Sequence, residues 1–147
     1  MSEIEVVTVI DAAPEKVWSY VEDISTHVEW MLDAAEIRFT SSHTSGLGTT
    51  FECDTKVGPI MLTDLMEITE WVPNEAMGVR HVGHVTGVGK FTLEPHQKSK
   101  TRFVWREKLT FPWFLGGSIG AVIGRPVLMA IWRGNLKRLK TEVERRA

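Results

Sequence analysis

The chain has 147 residues, 43% of them hydrophobic, a formal net charge of −2 and a single cysteine, Cys53. That length suits one domain with a real core and is short for two, while the near-neutral charge gives no electrostatic footprint for nucleic acid. One cysteine excludes an internal disulfide framework and fits a reducing, cytoplasmic setting; no basic stretch followed by an apolar one opens the chain, so no signal peptide is expected.

Ile4 to Ile10 is dense in β-branched residues and predicts a strand. Pro14 followed by Glu15 predicts a helix start, with Val17, Trp18, Tyr20, Val21 and Ile24 as its apolar face. Ser25 is placed to cap a second short helix running through Glu29-Trp30-Met31. Strands are then predicted over Ala35–Ser41, Thr49–Val57, Ile60–Val72, Ala76–Val82, Val88–Glu94 and Thr101–Phe111, separated by turn formers, and Gly83 to Gly87 reads either way. Connections of hairpin length imply an antiparallel sheet, because parallel neighbours need a crossover of about a dozen residues.

The C-terminal stretch differs in kind. Trp113 to Gly124 carries no charge. From Pro126 to Arg145 the spacing predicts a helix about 30 Å long, with Pro126 in its first turn and Leu128, Ile131, Trp132, Leu136, Leu139 and Val143 gathered on one face. Arg125-Pro126 and four glycines interrupt the apolar run between Phe111 and Trp132. A membrane span needs roughly 20 clean apolar residues, so stable insertion is not expected. The helix is left to cover a curled antiparallel sheet, an α+β arrangement.

The run Ile10-Asp11-Ala12-Ala13-Pro14-Glu15-Lys16-Val17-Trp18, with Val21-Glu22-Asp23 and Trp30 after it, resembles the opening of the START-like helix-grip superfamily (SRPBCC), in its polyketide cyclase/dehydrase and lipid-transport branch. The resemblance follows the element order across residues 1–147 as one domain and implies a sheet of about seven strands wrapped round the long C-terminal helix, with an internal cavity. It implies use of that cavity for hydrophobic small molecules, lipids or aromatic polyketides. It carries over no catalytic residue.

Polar residues on apolar faces are the candidates for chemistry. Glu107 shares its side of the last strand with Phe103, Trp105, Leu109 and Phe111. A carboxylate there must be paired or desolvated, which makes it a candidate acid/base or ligand anchor beside the plainer reading of a structural ion pair. Asp64 keeps company with Ile60, Leu62, Met66 and Ile68, but the alternate phase holds Met61, Leu65 and Trp71, which leaves its facing open. His81 shares a face with Met77 and Val79, and Asn135 falls within the helical stripe. His81 and His84 would point to opposite faces of a regular strand. With no cysteine pair and no H-E-x-x-H, no metal is expected, and no nucleotide-binding glycine motif calls for a cofactor.

The leading expectation is a binder of a hydrophobic or aromatic, lipid- or polyketide-like molecule held between sheet and helix. Trp30, Phe103, Trp105, Trp132 and Leu136 would be its walls, and Glu107, Asp64, His81 and Asn135 its polar anchors. The alternative is an enzyme of the polyketide cyclase/dehydratase kind, with Glu107, Asp64 and His81 as candidate catalytic groups. A third is a protein-interaction module, marked by a filled interior and an exposed patch at Trp113-Phe114-Leu115. Gly116, Gly120 and Gly124 would form a smooth ridge on a helix, read as a mobile gate at the cavity mouth, a dimer surface or a transient membrane contact. A monomer or a homodimer is expected.

Overall fold

The computed structural model describes residues 2–112 and 117–146, with side chains from 3–112 and 124–146. The chain begins with strand β1 (Ser2–Ile10), which ends where Pro14 opens helix α1 (Pro14–Val21). A single 3-10 turn at Ile24–Thr26 leads into the one-turn helix α2 (His27–Trp30). Ser25 does not cap α2, whose N-cap position is Thr26 without a side-chain hydrogen bond; the 3-10 turn before it is capped by Asp23, whose carboxylate accepts from the Ser25 N–H at 3.1 Å and from the Ser25 hydroxyl at 2.5 Å. A carboxylate outcompetes a hydroxyl for that role because the hydrogen bond it accepts is charge-assisted.

Six further strands follow: β2 (Ala34–Phe39), β3 (Thr50–Val57), β4 (Ile60–Val72), β5 (Ala76–Val82), β6 (Thr86–His96) and β7 (Lys100–Thr110). Together with β1 they form one antiparallel sheet in the order β1-β7-β6-β5-β4-β3-β2. Every neighbour after β2 is a sequential hairpin. The exception is β1, which pairs along its whole length with β7, Ser2 opposite Leu109 and Ile10 opposite Thr101. Register shifts at Ala34/Glu36 and Ile68/Glu70 mark irregularities of the kind that bend strands, and the curved sheet grips the C-terminal helix.

That helix, α3, runs from Gly117 to Arg146. It starts earlier than the proline signal predicts, and Pro126 lies inside it. Local preference is a weak prior against tertiary context, and Pro126 is exposed. Of the patch and gate expected between Trp113 and Gly124, residues 113–116 lie outside the described residues, and 117–123 are described as helix without their side chains.

Two hydrophobic halves lie under the sheet. In the first, Val17, Trp18, Val21 and Ile24 of the N-terminal helices meet Ile10 and Phe103 of the sheet and Leu136, Leu139 and Val143 of α3, all buried. Trp30, wholly buried, forms the hub of an aromatic cluster with His27, Phe91, Phe103 and Trp105, at centroid separations of 5.5–6.5 Å. Asn135 locks this half: its amide donates to Asp33 Oδ1 at 2.7 Å while its oxygen accepts from the Leu32 N–H at 3.1 Å and from Arg138. The second half, toward the start of α3, is not closed by side chains.

Candidate functional site

The open half is a cavity of about 370 Å³ between the inner faces of β2 to β7 and the N-terminal half of α3. Its volume lies in the range that takes small-molecule ligands. Its walls are overwhelmingly apolar. Trp105 and Trp132 stack at 4.6 Å, nearly parallel, to form one end, and Gly124, Val127 and Leu128 bring α3 across another side. The Trp132 indole is fixed by its N–H, which donates to Asp33 Oδ2 at 3.1 Å.

Three titratable side chains line this apolar surface as a cluster: Asp64 on β4, His81 on β5 and Glu107 on β7. Period-two alternation puts each on the inner face, and for Asp64 the structure decides what the sequence left open. Met61 and Leu65, of the opposite phase, are exposed. His81 Nε2 lies 3.0 Å from Glu107 Oε2 and 3.3 Å from Oε1. The Trp105 indole N–H reaches Oε1 of the same carboxylate at 3.4 Å. The partner that Glu107 needs is therefore His81, not Arg102 or Arg106, which serve Glu94 and Glu5 on the outer face.

The contact spans a whole strand, because β6 lies between β5 and β7. It is made possible by glycine. Gly89 stands directly opposite Glu107, and a Cβ added there would come 2.1 Å from Glu107 Oε1. Gly87 faces His81 across the β5–β6 pair, so no side chain intrudes there either. Gly83 does the same for Asp64: a Cβ there would lie 2.9 Å from Asp64 Oδ1. Glycine inside a strand commonly marks such a close approach.

Electrostatics follow from this packing. Burial disfavours a charged His81 ring, but Glu107 and then Asp64 outweigh it, and the imidazole is held above its ordinary value. Burial pushes the Asp64 carboxyl up, against the opposing pull of His81, of the Val85 backbone N–H and of His84. Cys53, directly opposite Asp64 on β3, is pushed up to about 11 by burial and stays a thiol. His27 also touches the cavity, where burial lowers it to about 4; its Nε2–H donates to the Val21 carbonyl at 2.9 Å.

Of the residues singled out in the sequence, Trp105, Glu107, Trp132, Asp64 and His81 come together around the cavity. Trp30, Phe103 and Leu136 do not line it; they fill the packed half, and Asn135 spends its hydrogen bonds inside the protein. The helix faces the sheet along its whole stripe but stands off only at its start, which an apolar periodicity cannot reveal. His27, Asp33 and Cys53 line the cavity without having been singled out. For Cys53 the signal was present in its alternation with Phe51 and Thr55. Among the described residues no three His, Cys, Asp or Glu side chains form a group able to hold a metal ion. None of the described helices is long and apolar enough to cross a membrane.

No curated protein matches the chain. Solved structures do match in fold. TTHA0849 from Thermus thermophilus superposes with a TM-score of 0.79 at 19% identity, covering 97% of each chain. The Zhui aromatase/cyclase from Streptomyces sp. R1128 does so with a TM-score of 0.77 at 16% identity, over 99% of this chain and 94% of that one. The di-domain aromatase/cyclase StfQ of the steffimycin biosynthetic pathway matches with a TM-score of 0.79 at 16% identity, over 98% of this chain and 51% of its own. At such identities the likeness speaks for the fold alone, the helix grip. Residues 1–144 match the sequence model of polyketide cyclase / dehydrase and lipid transport proteins, and the chain belongs to that family.

Proposed function

We propose that this protein binds a hydrophobic or aromatic small molecule, lipid- or polyketide-like, in the cavity between the sheet and the first half of α3. The observation that carries the reading is the contrast within the cavity: overwhelmingly apolar walls with the buried polar cluster Asp64, His81 and Glu107 set into them. Pockets of this composition hold the ligand body by apolar contact and orient it by a few polar groups. An interaction module with a filled interior does not fit a cavity of this size. The proposal takes residues 1–147 as one domain, acting as a monomer or homodimer in the cytoplasm without a cofactor. Native mass spectrometry of the freshly purified protein should show a co-purified small molecule, or apolar aromatic probes should bind saturably; failure of both would overturn it.

A second reading is favoured by one contact. Glu107 accepts from His81 Nε2, which fixes the ring's tautomer and leaves a buried acid/base pair inside the cavity. A cyclase/dehydratase-type enzyme would use such a pair to enolise or dehydrate a bound carbonyl chain, the family's aromatase/cyclase neighbour lending support by fold. Glu107→Gln separates the two. An enzyme would lose turnover with affinity little changed, whereas a carrier would change affinity only.

A further inference from the structure

Three buried polar atoms among the described residues lack a hydrogen-bond partner: Trp30 Nε1, His81 Nδ1 and Asp64 Oδ1. Trp30 is enclosed by aromatic rings away from the cavity. The other two belong to side chains that line it, each more than nine-tenths buried. They are also neighbours. His81 stands opposite Met66, and Asp64 is two residues further along the same strand and face. That diagonal relation sets their backbones about 7–8 Å apart, within side-chain reach of one intervening group.

The chemistry of the two atoms narrows what that group is. His81 gives Nε2 to Glu107, so its Nδ1 is a donor when the ring is charged and an acceptor when it is neutral. Asp64 Oδ1 accepts when ionised and can donate when protonated. One proton shared between them therefore leaves one donor and one acceptor, whichever of the two holds it. A hydroxyl, with one hydrogen and free lone pairs, completes both arrangements. A carboxylate only accepts, and would face Asp64 and Glu107 with a like charge. An ammonium only donates: it leaves His81 Nδ1–H unmet in the first arrangement and the Asp64 proton unmet in the second, and suits the pair only once that proton is expelled.

We infer that Asp64 and His81 form a hydroxyl-recognition site, and that the ligand is an apolar molecule carrying an alcohol, phenol or enol, not a carboxylate or an amine. This rests on the cavity-binding reading and adds to it the polar end of the ligand. Glu107 is the positioning residue that fixes the His81 ring, and Gly83 and Gly89 make the room in which both carboxylates sit.

The test uses four probes with one apolar body: naphthylmethanol, naphthylmethylammonium, naphthoate and methylnaphthalene, titrated by tryptophan fluorescence or calorimetry against the intact protein. The alcohol should bind at least about ten-fold tighter than each of the other three, because it satisfies both buried atoms without changing the number of protons the pair holds, whereas the ammonium must drive a proton out and the carboxylate must take one up. In Asp64→Leu the alcohol should fall to the affinity of methylnaphthalene, whose own binding stays. Should that variant not fold, the order among the four probes on the unaltered protein decides alone. If methylnaphthalene binds and the alcohol binds no better, water or direct contact between the two side chains satisfies the pair, and the hydroxyl site is overturned while the cavity reading stands. Tightest binding by naphthoate or the ammonium likewise overturns it. If none of the four binds, the cavity reading itself falls, and the hydroxyl site with it.

Discussion

His27 and His81 are buried almost equally, 6% and 8% exposed, and both border the same cavity, yet they titrate in opposite directions. His27 belongs to the packed half, where its partner is the Val21 carbonyl, and burial takes it down to about 4. His81 belongs to the open half, where Glu107 and Asp64 overcome the same penalty and hold it up. Burial alone therefore does not decide the state of a histidine; the charge of its neighbour does. The packed half neutralises what it buries, as stability requires, while the open half keeps buried charge that stability does not call for. Retained charge beside an apolar cavity supports the site proposed above.

The same division runs along α3. Leu136 is buried in the core, whereas Leu128 is half-buried at the cavity wall. Leu136→Ala should cost about 2–5 kcal/mol in reversible denaturant unfolding. Leu128→Ala, which only enlarges an existing cavity, should cost about 1 kcal/mol or less. Equal losses would erase the distinction between the halves.

Acid should act through His27. Its unfolded form takes up a proton near pH 6.5, its folded form only near 4. The stability it contributes is thus complete above pH 6.5 and is lost as the pH falls toward 4, at up to about 1.4 kcal/mol per pH unit and about 3 kcal/mol in all. His27→Gln, which can still donate to Val21, should flatten that slope. His81 has the reverse sign: its raised folded value gives stability that is complete below pH 6.5 and lost as the pH rises through the folded value. In Glu107→Gln the His81 ring signals should titrate at lower pH than in the parent, while those of His27 stay put. The Asn135 lock of the packed half is a smaller matter than the acid response, and Asn135→Ala should cost about 1–3 kcal/mol by stranding Asp33 Oδ1 and the Leu32 N–H.

Much of the sheet was legible because its signals are local. The strands Ile60–Val72 and Ala76–Val82 fall where alternation and the turn residues place them, and the inward facing of Glu107 follows from its neighbours on β7. What is non-local was not legible. The pairing of β1 with β7 joins the two ends of the strand sequence, and no turn signal announces it. The stand-off of α3 from the sheet decides that Trp132 lines a cavity while Leu136 fills a core, though both lie on one stripe. The His81–Glu107 contact crosses β6 past Gly87, the end of a stretch that reads either way in the sequence, and Gly89, which reads as part of a strand. Glycine's value there lies in what it lets two other strands do, and that appears only once the register is known.

The claim that the open half of the molecule is its binding site is tested most directly by mapping an apolar aromatic probe onto assigned indole, imidazole and methyl signals in a titration by nuclear magnetic resonance. Saturable shifts should gather on Trp105, Trp132, His81 and Leu128, with Trp18, Leu139 and Val143 unmoved. Shifts centred on the packed half or on the outer face of the sheet, or none that saturate, would contradict it.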